Sequence, residues 1–271
     1  MIVRGAGESW QIVSQLHHAD LSGQFAAAWG NDRFSQPTPA SAVEIASIRH
    51  DDGWAVWERW PKISERESKP LPFLDVHILS HLAFYRAAIE DAVDQDPYAG
   101  LLVSMHGAGI YRGRYGTQPE LRATYVNLFT PQVDAFVNEQ EIRHAELIEE
   151  TGVSEQERWV NYKLLQVFDR LSLYFSGLFE IAWGDAHVIG PVPVTYNGEE
   201  TTIRVEALTQ FAPFSPSHVR IDPFPFSESP AAFTVLRRVM PKRDWRSSGE
   251  FRADFEASTP EPVDILIEAG A

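Results

Sequence analysis

The sequence predicts an α+β protein, with a mainly helical region over residues 1–185 and an antiparallel β-sheet over residues 186–271 packed against it as one compact unit. Three observations predict this. Apolar residues recur at helical spacing from about Glu8 to Trp183. From about His187 the chain changes to short alternating runs. The junction, GDAHVIGPVP, holds glycine and proline that end a helix but contains no flexible or charged linker.

Each element has its own signal. The first helix is expected over Glu8 to Trp29, from Ile12, Leu16, Ala19 and Phe25, with Gly30-Asn31 as its stop. After the proline-bearing loop FSQPTPA, Ser41 and Glu44 form a capping-box pattern for a second helix that ends at His50-Asp51-Asp52 and breaks at Gly53. WERWPKISERESKPLPF reads as a surface loop. Asp75 to Val93 and Tyr98 to His106 read as helices, and GAGIYRGRYG as the loop that follows. Another helix is expected after Pro131. A last, long one runs from Glu155 to Trp183, announced by Ser154 and Glu157. TTIRVEAL, HVRIDPF, AAFTVLRRV, EFRADFEA and VDILIEA read as strands, and Asn197-Gly198 marks a hairpin turn between the first two strands.

Composition narrows the function classes. There is no cysteine, so disulfides, thiolate nucleophiles and sulfur-bound metal are excluded, and any metal must rest on nitrogen and oxygen. With 38 acidic against 23 basic residues the net charge is −15, a surface that repels nucleic-acid phosphates and anionic lipid. No apolar run is long enough to span a membrane, and MIVRGAGESW lacks the apolar stretch of a signal peptide, so a cytoplasmic location is expected. The remaining partner class is a small molecule or a protein.

The residues suited to chemistry are histidines and aspartates. His50 and Asp51 stand at a helix end, where the unwinding backbone lets two adjacent side chains converge on one ion. On its own that pair also fits chance, with the carboxylate facing water. His17-His18 lie in an amphipathic helix, His81 follows His77 by one turn, and His106 ends the apolar run GLLVSMHG. Asp169 sits within LLQVFDRLSLYF, where an unpaired carboxylate is costly and a cation would neutralise it. Each histidine could instead be a hydrogen-bonded core residue, and Asp169 could pair with Arg170 or with an arginine of the sheet.

The order of His18, His50-Asp51 and Asp169 resembles the H…HD…D pattern of the HD-domain superfamily, and SIRHDDG resembles its apolar helix ending in His-Asp-x-Gly. His81 and His106 are similar in order to the histidines of two-metal members, among them cyclic-dinucleotide phosphodiesterases and inositol-cleaving oxygenases. HHADLSGQFAAAWG, HDDGW and LLVSMHG also resemble a bacterial family known only as a domain of unknown function, over most of the chain. The superfamily resemblance implies His18, His50, Asp51 and Asp169 as ligands of a first metal, with Asp51 bridging to a second held by His81 and His106. His17 and His77 are the alternatives to His18 and His81. One or two ions of Fe, Mn, Zn or Mg are the implied cofactor. Trp54 stands where phosphodiesterase relatives often carry lysine, and no Gly-Tyr-Pro signature occurs, so cyclic-dinucleotide cleavage is not implied.

Three functions are compatible with this set. The first expectation is metal-assisted hydrolysis of a small phosphate ester, with Asp52 positioning the attacking water. The second is di-iron oxygenation of a polyol or phosphonate. The third is a metal- or ligand-binding module without catalysis. Arg112 and Arg114, among glycines in the loop after His106, are the candidate holders of an anionic substrate. In HVRIDPFPF, alternation puts His218, Arg220 and Asp222 on one face. That face is either a polar outer surface or a wall of the metal site with Arg220 as a further anion holder.

Overall fold

The computed structural model describes residues 1–118, 131–179, 184–209 and 217–270. It opens on a hairpin, β1 (Ile2–Ala6) and β2 (Ser9–Val13), turned at Gly7. Helices α1 (Gln15–Ala28), α2 (Ala40–Arg49), the short α3 (Ala55–Glu58), α4 (Ile78–Gln95), α5 (Pro97–Tyr111), α6 (Pro131–Thr151) and α7 (Glu155–Phe175) follow. The C-terminal part holds β3 (Ala186–Pro193), β4 (Glu200–Ala207), β5 (Ser217–Asp222), β6 (Ala231–Pro241), α8 (Ser248–Ala257) and β7 (Glu261–Ala269). The α+β class expected from the pattern is what the chain adopts.

Several expectations are corrected. The first helix does not start at Glu8: Ser9–Val13 is β2, and α1 begins after Ser14, whose side chain accepts from the His17 amide. Residues assigned to the helical region thereby join the sheet, where β2 pairs with the far end of β6. Ser41 does not cap α2; the helix starts one residue earlier behind Pro39, without a side-chain cap. The glycine-rich stretch after His106 is partly helix, because α5 runs on to Tyr111. EFRADFEA is α8, not a strand, capped by Ser247, which accepts from the Glu250 amide. Ser154 caps α7 as expected, accepting from the Glu157 amide, but α7 ends at Phe175, and residues 180–183 of the expected helix lie outside the described residues.

The seven strands form one sheet in the order β1-β2-β6-β7-β5-β4-β3. It is antiparallel except between β5 and β7, which run parallel. Gly198, at φ +86°, supplies the turn between β3 and β4, so the expected hairpin joins TTIRVEAL to the strand before it and not to HVRIDPF. The inner face carries Ile189, Ile203, Val205, Val219, Ile221 and Val235 into the same core as the helices. Phe25 of α1 is fully buried and meets Phe233 of β6 at 4.8 Å and Phe175 of α7 at 5.9 Å, so the helical layer and the sheet share one core. A smaller cluster, with Ile12, Met240, Trp245, Phe251 and Phe255, seats α8. No helix among the described residues is long and apolar enough to cross a membrane.

Candidate metal centre

Three helix segments deliver the expected ligands to one place. His18 lies in the first turn of α1, His50 caps the C-terminus of α2, and Asp169 stands in the middle of α7. At His50 the backbone is still helical (φ −57°, ψ −24°), and at Asp51 it leaves the helix (φ −119°, ψ 14°), which turns the two side chains to a common side. This turn is locked from outside by Gly53: a Cβ there would stand 1.8 Å from the Phe84 carbonyl oxygen of α4. Only glycine permits so close a passage of backbone.

His18, His50 and Asp51 form a buried cluster whose donor atoms all lie within 4.8 Å of one another, a group that could hold a metal ion. His18 Nε2 is 2.9 Å from Asp51 Oδ2. His50 Nε2 lies 3.8 Å from Asp51 Oδ2 and 3.6 Å from Asp169 Oδ1. Both separations exceed a hydrogen bond. Donors about 2.0–2.2 Å from one ion stand on the order of 3–3.5 Å apart, so these gaps match the room an ion needs. His50 Nε2 and Asp51 Oδ1 are buried with no hydrogen bond.

The surrounding bonds orient both imidazoles. His50 Nδ1 donates to the Ser47 carbonyl at 2.8 Å, which leaves Nε2 of the neutral ring with a free lone pair. Ser172 Oγ donates to the Asp169 carbonyl and accepts from Ser22 Oγ, so its contact with His18 Nδ1, at 2.7 Å, is one in which the ring donates. Neutral His18 then sets an Nε2 lone pair against a carboxylate oxygen. That arrangement is favourable only with a proton or a cation between them. Gln15 Nε2 donates to Asp51 Oδ2 at 3.0 Å and holds the carboxylate in place.

Electrostatics point the same way. Burial alone would lower the His50 pKa, but the Asp51 and Asp169 carboxylates outweigh it and hold it up at about 9. Burial would raise both aspartates; Asp51 is kept low by His50 and His18, and Asp169 well below the usual carboxylate range by His50, His106 and Arg114. The site is a pair of buried carboxylates that stabilises positive charge. His106, its ring centroid 4.9 Å from that of His50, is pushed down to about 3 by burial and by the neighbouring His50 charge, and stays neutral. Its Nδ1 accepts from Gln166 Nε2 at 3.1 Å.

Other expected residues are placed differently. His81 Nε2 meets the Phe73 carbonyl at 3.0 Å and its ring packs on Trp54, so that nitrogen is engaged away from the cluster. His77 caps α4, accepting from the Leu79 amide, and is exposed; His17 is only half-buried, with its pKa lowered by burial. Asp52 bonds the half-exposed Arg49 at 2.6 Å and has no hydrogen bond to the cluster. Burial raises its pKa against the pull of Arg49. Arg112 is exposed and pairs with Glu141, whereas Arg114 reaches inward, bonding Gln166 and standing 3.4 Å from Asp169 Oδ2. Arg170 does not pair with Asp169; it bonds His187 and Gln118. Arg220 is on the outer face of the sheet, bonded to Glu268 at 3.0 Å, opposite the buried Val219 and Ile221, so it forms no wall of the site.

Sequence reasoning missed Gln15, Ser172 and Gln166. For the last two a signal existed: Gln166, Asp169 and Ser172 recur every third residue within the largely apolar second half of α7, a polar stripe with no reason to be buried unless it serves a site.

Residues 1–242 match the family model described as "Protein of unknown function (DUF3891)", and the chain belongs to that family. No curated protein and no solved structure matches it. The likeness to the HD-domain superfamily therefore rests on motif order alone.

Proposed function

We propose that this member of a family without an assigned function is a metal-dependent hydrolase of a small phosphate ester, with His18, His50, Asp51 and Asp169 holding the cation. One observation carries the reading: His50 Nε2 and Asp51 Oδ1 are buried without a hydrogen bond beside a second carboxylate. Each orphan costs about 1–3 kcal/mol, and a shared cation removes the cost of both. The motif order shared with the HD-domain superfamily supports the same ligand set. A single ion is favoured over two, because the lone pair of neutral His106 is already taken by Gln166.

A divalent cation, when bound, supplies Lewis acidity toward a phosphoryl oxygen and acidifies water. The protein's own residues do the rest. Asp51 and Asp169 contribute the two negative charges that select a cation over a neutral guest. Ser47 and Ser172 keep the imidazoles turned with Nε2 inward. Arg114, permanently charged and only 11% exposed, stands beside Asp169 where it can take a phosphoryl oxygen and offset charge that builds up as the ester breaks. In the reaction a water oxygen bonds to phosphorus, the ester P–O bond breaks, and the leaving oxygen takes up a proton.

Elemental analysis of protein purified without chelator, with turnover of a generic aryl phosphate, tests the reading. About one equivalent of Mn, Zn, Fe or Mg is expected, with turnover lost in His50→Ala and Asp51→Ala. Iron with an oxygen-sensitive optical band and no phosphoester turnover would replace hydrolysis by oxygen chemistry. Failure to take up any metal would overturn the reading.

A further inference from the structure

Tyr162 lies on the same stripe of α7 as Gln166 and Asp169, four and seven residues before them. It is fully buried, and its hydroxyl forms no hydrogen bond of normal geometry. Burial pushes the pKa of this phenol well above its ordinary value, so it remains a donor. The hydroxyl occupies space that only a glycine leaves: a Cβ on Gly109, three residues after His106 on α5, would stand 2.0 Å from it. The Thr117 hydroxyl, which donates to the Arg114 carbonyl at 2.7 Å, lies near enough to influence the phenol. Arg114 Nε is a second buried donor without a partner.

The backbone that brings Arg114 inward is itself unusual. Gly113, Arg114, Tyr115 and Gly116 are four successive residues with positive φ, at 59°, 51°, 51° and 78°. Two of them carry side chains that disfavour the left-handed region, so the turn is held by its surroundings, and strain of this kind gathers at ligand sites. Tyr162 is close enough to feel the charges of both Arg114 and Asp169, and Arg114 Nε and the Tyr162 hydroxyl are both buried without a hydrogen bond of normal geometry.

We infer that Tyr162 and Arg114 form an oxyanion subsite beside the cation site, which takes the tetrahedral phosphoryl group of the substrate. The inference rests on the phosphate-ester reading and adds to it a second donor and a ligand shape. The Tyr162 hydroxyl bonds one phosphoryl oxygen and the Arg114 fork another, so a phosphate monoester or free phosphate is preferred over a neutral or planar ligand.

Calorimetric titration with inorganic phosphate tests this, in metal-loaded and metal-free protein. Wild type is expected to bind phosphate, and Tyr162→Phe to bind it about tenfold more weakly, the usual loss for one hydrogen bond to a charged group. Metal content and Tm should be unchanged or, for Tm, raised, because the lost hydroxyl had no partner. Arg114→Gln, nearer the surface, should weaken phosphate binding further and serves if Tyr162→Phe does not fold. Equal affinity in wild type and both variants overturns the subsite, as does a metal-loaded wild type that binds no phosphate. If the protein takes up no metal, the hydrolase reading fails separately. The metal-free titration then decides the subsite by itself: a loss in Tyr162→Phe supports it, and no difference overturns it.

Discussion

His50 Nε2 stands 3.6 Å from Asp169 Oδ1, although 119 positions separate the two residues along the chain and they lie on different helices. Both side chains are buried. The separation is too long for a hydrogen bond and suits two donors to one ion. The contact also makes His50 sensitive to Asp169 when no metal is present.

In metal-free protein, stability should depend on pH through this contact. The folded His50 pKa is raised from 6.5 to about 9, so its contribution is fully present below 6.5 and is lost as pH rises through 9. That rise corresponds to on the order of 3 kcal/mol. Chemical denaturation between pH 6.5 and 9 should show the loss, and saturating metal should abolish it, since a bound cation replaces the proton. Asp169→Asn should lower the His50 pKa, read from the imidazole proton shift by NMR. An unchanged His50 titration would remove Asp169 from the site.

The histidine pairs should separate in metal content. His18→Ala should lose most bound metal, whereas His17→Ala and His77→Ala should keep it, because neither His17 nor His77 belongs to the buried cluster. His81→Ala should also retain one equivalent. Loss of metal from His81→Ala would show that its ring ligates, and would revive a two-ion centre.

Ser172→Ala should weaken metal affinity by about 10–100-fold while leaving the fold intact. The serine touches no ion; it accepts from His18 Nδ1 and so fixes which nitrogen faces Asp51. Competition with a chromophoric chelator measures the affinity. Far-UV circular dichroism checks the fold. An unaltered affinity would mean that the ring keeps its orientation without the serine.

Gly53→Ala should destabilise the protein by about 3 kcal/mol or more, since the new Cβ would stand 1.8 Å from the Phe84 carbonyl oxygen and either α4 or the His50-Asp51 turn must move. A drop in Tm together with lower metal content is expected. Retained Tm and metal content would show the passage to be looser than its geometry.

Arg220→Ala should change neither metal content nor turnover. Its bond to Glu268 is on the exposed face of the sheet, where such pairs contribute about 0–1 kcal/mol. A clear fall in substrate affinity would return this strand to the site.

The sequence by itself determined the α+β class, the helical setting of the His-Asp pair and the capping of α7 by Ser154, because these depend on neighbours a few residues away. It also marked His18, His50, Asp51 and Asp169 by type and by improbable setting, an aspartate within an apolar helix above all. Local pattern failed where two conformations suit the same residues. Phe251 and Phe255 fit strand alternation as well as one helical turn, and α8 forms because Ser247 can cap it and its two rings close over Trp245 and Met240. Residues 9–13 pass for the start of an amphipathic helix until β6 offers them an edge to pair with. Only the tertiary structure chose His18 over His17, turned His81 toward the Phe73 carbonyl and brought Arg114, not Arg112, to Asp169. Those outcomes depend on which way a side chain faces once distant helices have packed, and no spacing along one chain segment carries that information.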